Sequence, residues 1–328
     1  MTVVQQKLVW RSLKWQLQVV GSMNGRLPTT SESSEWRQWA MEHARPVRFR
    51  GRDGWRSVGP LDSLLKRMTA ALQSLYVAPD SVFGFVSGKS TYSAAQVHVG
   101  APSALVVDLK DFFGQISEQR VRDALNPLLD EEALDVFVGC CLRSNTLPLG
   151  FRTSPLISNL VFRETDRDIE RLCAARAVKY TRWVDDLVFS GSAVDDSFLH
   201  DLLAVLDSHA WLPNEKKTRF MSTRRVVLGL NVAQSLTRPH VPRGMKKELR
   251  KQVYYLSKFG MAHFSHAGAW PLPRILGMIA YVKSVDPNLA ALLEQQLHAL
   301  PKSSRLVAYS SAVGGGRWQM AMLEEVGL

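Results

Sequence analysis

Two adjacent acidic residues inside a β-favouring run limit what this chain can become. In YTRWVDDLVFSG, Tyr180 to Gly191, Asp185 and Asp186 stand between TRWV and LVFS. A pleated strand sends neighbouring side chains to opposite faces, so an unbroken strand here would force one carboxylate into the core. A hairpin removes that cost, because a pair at the turn can point both carboxylates out of the end of a sheet. A second run, SALVVDLKDFF from Ser103 to Phe113, reads as a buried strand with Asp108 at its end. If these strands are antiparallel neighbours, Asp108, Asp185 and Asp186 converge. Three converging carboxylates repel and raise one another's pKa unless a cation sits among them, and oxygen ligands favour magnesium. Two such ions can activate a 3′-hydroxyl and stabilise a leaving pyrophosphate in an in-line phosphoryl transfer. An ordinary polar turn is the other reading of the Asp-Asp pair.

Composition narrows the partners. With 328 residues and 46% hydrophobic content, the chain can bury a core and form two or three lobes. No run of about 18 apolar residues is present to span a membrane, and MTVVQQKLVWRSLKWQLQVV lacks the apolar core of a signal peptide, so the expected location is cytoplasmic, with no membrane partner. Cys140, Cys141 and Cys173 form no C-x-x-C pair, which argues against a disulfide framework or a zinc site. The net charge is +11 and is concentrated: Arg238 to Lys258 holds seven Lys/Arg against Glu248 alone. RPVRFRGRDGWR, Arg45 to Arg56, holds five arginines against Asp53. Basic clusters interleaved with aromatic residues suit phosphate contact plus base stacking, hence a nucleic acid.

Helical patterning covers Val3 to Val20, Ser33 to His43 and Leu61 to Leu75, with a polar linker between the first two. After the Asp108 strand, Ser117 is placed to cap a helix. TSPLISNLVFRETDRDIERLCAARA has the spacing of one long amphipathic helix, a further helix spans Phe198 to His209, and RRVVLGLNV reads as another strand. This order describes an α+β layer with an antiparallel sheet.

VVDLKDFFGQI, LPLGFRTSPLISNLVF, YTRWVDDLVFSG, NEKKTRF and VVLGLNV follow the order and spacing of the palm motifs of reverse transcriptases, and the chain from about Arg45 to Asn288 resembles the bacterial retron-type group. The resemblance implies a right-hand polymerase fold: a helical N-terminal extension (1–44), fingers (45–102), palm with part of the fingers (103–237), a basic helical thumb (238–300) and a C-terminal tail (301–328). It implies an RNA-directed DNA polymerase that copies a structured non-coding RNA in anti-phage defence, with an RNA–DNA duplex as product and often an effector protein as partner. The alternatives are a polymerase-like RNA-binding module with weak catalysis, and untemplated or self-primed DNA synthesis.

Position by position, the resemblance makes Asp108, Asp185 and Asp186 the metal-binding triad for two Mg2+ ions, with Mn2+ as a substitute, and favours Asp108 and Asp185 as the direct ligands. Phe113 matches the steric gate against ribose. Gly150 matches the backbone passing the incoming nucleotide. Lys217 matches a proton donor to, or contact of, the triphosphate. Arg50, Arg52 and Arg56 resemble the triphosphate-binding basic residues of the fingers. Lys246, Lys247, Arg250 and Lys251 in the thumb, and His98 in the segment before the first palm motif, are expected to meet nucleic acid. The chain departs from the pattern at Trp183, where tyrosine is usual, and at Leu149, where glutamine is usual. The group's Asn-Ala-x-x-His and Val-Thr-Gly signatures fall on Ala94, Ala95 and His98, and on Val227, Leu228 and Gly229, so the chain departs from them at Ala94 and Leu228. GFVSGKS, Gly84 to Ser90, imitates a phosphate-binding loop, but it is one residue short between its glycines and precedes TYSAAQVHVG, which reads as extended or irregular.

Overall fold

The computed structural model describes residues 27–28, 32–49, 51–221 and 225–298. The helix expected over Val3 to Val20, the tail from 301 and Arg50 lie outside the described residues. The first elements among the described residues are helix α1 (Ser33–Glu42) and an antiparallel hairpin of β1 (Ala44–Phe49) and β2 (Arg52–Ser57). Helix α2 (Pro60–Leu75) has proline in its first turn, where a missing N–H costs nothing, and turns Leu61, Leu64, Leu65, Met68 and Leu72 inward at helical spacing. The extended reading of TYSAAQVHVG is corrected by a helix, α3 (Thr91–Val97). Its start is set by Ser90, whose hydroxyl accepts from the Ser93 amide at 3.1 Å, a local cap that outweighs the β preference of the segment.

The strand Ala104–Asp108 (β3) is buried at every position. Helix α4 (Glu118–Leu125) is capped by Ser117, as expected, and α5 (Glu131–Cys141) by Asp130, whose carboxylate accepts from the Ala133 amide at 2.8 Å. Then come α6 (Ser154–Val161), α7 (Arg163–Ala175), β4 (Lys179–Trp183), β5 (Asp186–Ser190), α8 (Asp196–Ser208) and β6 (Arg219–Met221). The four strands form one antiparallel sheet in the order β4-β5-β3-β6, with Asp108 opposite Asp186 and Asp186 opposite Trp183.

The single long helix expected after Gly150 is two helices, broken at Phe162. The Phe162 ring is fully buried beside Trp211 at 4.9 Å, Phe112 at 5.8 Å and the Arg182 guanidinium at 4.7 Å. Seating that ring decides the backbone direction there, which local periodicity does not report.

The described residues form two compact units. One holds the described residues up to Val97 together with Ala101–Met221, and the other holds His98–Gly100 with the described residues from Arg225 on. Residues 225–237, expected in the palm, therefore group with the second unit. RRVVLGLNV is not one strand but a minimal hairpin, β7 (Val226–Val227) and β8 (Leu230–Asn231), turned at Leu228 and Gly229 with φ of 48° and 84°. The second unit continues with α9 (Arg243–Phe259), a 3-10 turn (Gly260–Ser265), α10 (Leu272–Lys283) and α11 (Pro287–His298), which bury Leu249, Val253, Ile275, Ile279 and Leu293.

In the first unit, Phe112 is 3% exposed and packs on Trp211 at 5.4 Å, while neighbouring Phe113 is half-buried. Phe112→Ala is expected to cost about 3–5 kcal/mol of unfolding free energy and Phe113→Ala clearly less, measured by denaturant titration.

Candidate active site

The pairing of β3 with β5 delivers Asp108 and Asp186 to the same end of the sheet, and the β4–β5 turn of Val184 and Asp185 projects beyond it. Val184 has φ of 61°, a left-handed conformation that a β-branched residue adopts only under constraint. The Leu109 amide donates to the Asp185 carbonyl at 3.1 Å, so the turn is tied directly to the end of β3.

Asp108 is engaged from the loop before β6. The Lys217 ammonium donates to its Oδ1 at 2.8 Å and Asn214 Nδ2 to its Oδ2 at 3.1 Å, while the Asn214 amide donates to the Asp108 carbonyl at 2.7 Å. Asn214 was not singled out from the sequence. Its only signal there is its place three residues before Lys217 in NEKKT. Burial lifts the Asp185 carboxyl above its ordinary range and Asp108 adds to the rise, against the pull of the backbone N–H of Asp185, Arg52 and Lys217. The Asp186 carboxyl is pushed up to about 6, by burial first and then by Asp185 and Asp108. Among the described residues, no three acidic, histidine or cysteine side chains stand close enough to enclose a metal ion. The donor set nonetheless fits a hard divalent cation, since all its atoms are carboxylate oxygens and their mutual repulsion is what a cation relieves.

Asp185, but not Asp186, lines a cleft of ≈ 1140 Å³. Arg52, Phe113, Leu149 and Gly150 line it too, as do Trp183 and Phe151. Lys66, Thr69 and Gln73 on α2 form part of the wall, and sequence reading missed them because a helical face carries no sign of what it will oppose. Gly150 has φ of 104°, and a Cβ there would stand 2.4 Å from the Trp55 carbonyl, so glycine lets the Leu147–Phe151 segment meet the β1–β2 hairpin. The Leu149 carbonyl completes that junction by accepting from the Trp55 amide at 2.8 Å. Arg56 is exposed and does not line the cleft, so the structure does not bring it to this site, and Arg50 lies outside the described residues. The phosphate-loop imitation is spent locally: the three N–H donors of Lys89 go to the carbonyls of Pro79, Asp80 and Val82 at 3.1, 2.7 and 2.8 Å.

In the second unit, α9 exposes Arg243, Lys247, Arg250, Lys251 and Lys258 with the aromatic rings of Tyr254, Tyr255 and Phe259, opposite the buried Leu249, Val253 and Leu256. Two expected nucleic-acid contacts are corrected. Lys246 turns away from solvent to pair with Asp286, Nζ to Oδ2 at 2.5 Å, because it sits at the edge of the packed face. His98 is 1% exposed, which leaves no ring surface for a nucleic acid.

The family model for Reverse transcriptase (RNA-dependent DNA polymerase) matches residues 47–232, more than half of the chain. The chain is 27% identical to the Retron Ec86 reverse transcriptase of Escherichia coli, over 66% of its own length and 65% of that protein. It is 30% identical to the Retron Ec73 reverse transcriptase of Escherichia coli, over 66% of its length and 73% of that protein. It is 29% identical to the Retron Mx65 reverse transcriptase of Myxococcus xanthus, over 72% of its length and 58% of that protein. Among solved structures, a Candida albicans telomerase aligns over 81% of this chain and 50% of its own at 12% identity, with a TM-score of 0.45, too loose to add to the argument. With its aspartate-bearing motifs on adjacent antiparallel strands and the family match covering all five motifs, the chain belongs to the reverse transcriptase family, in the bacterial retron-type group.

Proposed function

We propose that the protein is an RNA-directed DNA polymerase whose chemistry is centred on Asp108 and Asp185. The observation that carries this reading is the convergence of these two aspartates at one end of the antiparallel sheet, with Asp185 lining a cleft bordered by Phe113, Leu149, Gly150 and Arg52. Asp108 and Asp185 would hold Mg2+, for which Mn2+ can substitute, with Asp186 behind them. When bound, the metal supplies activation of the primer 3′-hydroxyl and charge neutralisation at the leaving pyrophosphate. Lys217 holds a positive charge and a transferable proton against Asp108, and would offer them to the negative charge that develops on the leaving group. Arg52 is an always-charged fork facing the cleft and suits a triphosphate. Both Phe112 and Phe113 border the cleft, but Phe112 is 3% exposed and packed on Trp211 while Phe113 is the more exposed of the two, so Phe113 serves as the steric gate that favours a 2′-deoxy sugar.

The template class is a structured non-coding RNA and the setting is anti-phage defence with an effector protein as partner. Both rest on the resemblance to retron-type proteins. No helix among the described residues is long and apolar enough to cross a membrane. Leu149, in place of a polar side chain at the cleft, favours a second reading, an RNA-binding module with weak catalysis.

Primer extension on an RNA template tests the first reading. Asp108→Asn and Asp185→Asn are each expected to lower the rate by more than about a hundredfold, because each keeps size while removing charge at the reacting centre. Unchanged extension in either variant rejects the assignment, and a parental chain that binds RNA without extending a primer establishes the second reading.

The thumb-like helix carries its own expectation. Neutralising Lys247, Arg250 and Lys251 together should weaken duplex binding and flatten its dependence on log salt by about 0.7–0.9 per lost phosphate contact. Lys246→Ala should instead lower thermal stability, since its charge is spent on Asp286. Filter-binding titrations across salt concentrations, alongside melting curves, separate the two outcomes.

A further inference from the structure

A buried polar cluster in the first unit adjoins the turn that carries Asp185, and none of Arg182, Asp166 and Asn159 lines the cleft. Arg182 and Asp166 are both fully buried and form a two-pronged ion pair, Nη2 to Oδ2 at 2.7 Å and Nε to Oδ1 at 2.8 Å. The Tyr180 hydroxyl donates to the same Asp166 Oδ1 at 2.8 Å. Burial works against the Arg182 charge, and Asp166 outweighs it, so the guanidinium stays charged. Replacing such a pair by apolar residues is often neutral or stabilising, so stability alone does not account for it.

The remaining donor of Arg182 shows where the cluster acts. Its Nη1 donates to Asn159 Oδ1 at 3.0 Å and to the Val184 carbonyl at 3.2 Å. Asn159 in turn donates from Nδ2 to the Gly84 carbonyl at 2.9 Å. The Arg182 carbonyl accepts from the amides of Phe83 and Gly84 at 2.9 and 3.3 Å, which seats Gly84 against the turn. A Cβ on Gly84 would lie 2.8 Å from the Val184 amide nitrogen. The left-handed Val184 is therefore held by its carbonyl from one side and by Gly84 from the other, and Asp185 is the next residue.

We propose that Arg182, Asp166, Asn159 and Gly84 form a positioning unit that fixes the Val184–Asp185 turn and so aims the Asp185 carboxylate into the cleft. None of the four touches a reacting group. This inference rests on the proposed polymerase reading for its kinetic consequence, but not for its effect on cation binding.

Two variants of the full chain press on the unit independently. Arg182→Lys keeps a charge for Asp166 and loses the fork that reaches Asn159 and Val184 together. Gly84→Ala leaves the ion pair intact and pushes on the turn from the opposite side, which keeps the test decisive if the first variant folds poorly. Mn2+ binding measured by electron paramagnetic resonance is expected to weaken about tenfold in each, as for residues that orient a metal ligand without touching the metal. Primer extension should lose about tenfold or more in kcat with KM for the nucleotide nearly unchanged, at temperatures well below the melting point. Adding Asp185→Asn to Gly84→Ala should weaken Mn2+ binding by less than the two single effects combined. Parental Mn2+ affinity in both variants overturns the proposal, even if either one melts at a lower temperature. Mn2+ shifts in the variants together with no primer extension by the parental chain uphold the positioning unit and reject the polymerase reading.

Discussion

The antiparallel register of β3 against β5 is the constraint on which the rest of the first unit depends. A slip of one residue would exchange the two faces of a strand that is buried throughout and would turn Asp108 away from the end where Asp185 and Asp186 emerge. The ladder runs out at that end, so the backbone groups just past it need other partners. The Leu109 amide takes the Asp185 carbonyl, the Asn214 amide takes the Asp108 carbonyl, and the Lys110 amide takes the Leu212 carbonyl. Satisfying these groups draws the hairpin turn and the loop carrying Lys217 to one place.

Charge is then assembled against its own repulsion. Asp185 and Asp186 both titrate higher than a free carboxyl, which makes the cluster an unfavourable one for the fold to maintain. The fold resists the resulting tendency to open through buried anchoring: the Phe112, Phe162 and Trp211 rings, the Trp211 Nε1 donating to Thr165 at 2.9 Å, and the Asp166–Arg182 ion pair next to the turn. Strain at Val184 and repulsion among carboxylates are local costs sustained by long-range packing.

Features encoded by short-range chemistry were legible in the residues. The Asp-Asp hairpin, the buried β3 run, the Ser117 cap and the inward stripe of α2 each depend on neighbours within a few positions. Features that depend on a remote partner were not. The break at Phe162 exists because its ring meets Phe112 and Trp211, about fifty residues away on either side. RRVVLGLNV looks like one strand, yet Leu228 and Gly229 turn it back on itself within the second unit, and the fourth strand of the sheet is Arg219–Met221. His98 and Lys246 carry the chemistry of nucleic-acid contacts, but burial of one and the Asp286 carboxylate beside the other direct them inward.

By itself the sequence determined which residues can carry the chemistry and that they must lie at strand ends, because the cost of burying a carboxylate and the two-residue period of a strand are local properties. Only the tertiary structure decided that Lys217 and Asn214 share Asp108, that the Leu147–Phe151 segment and the β1–β2 hairpin wall the cleft beside Asp185, and that Arg182 and Asp166 pair next to the turn. Those outcomes follow from contacts between residues far apart in the chain, whose free energies depend on distance and burial rather than on spacing along the sequence.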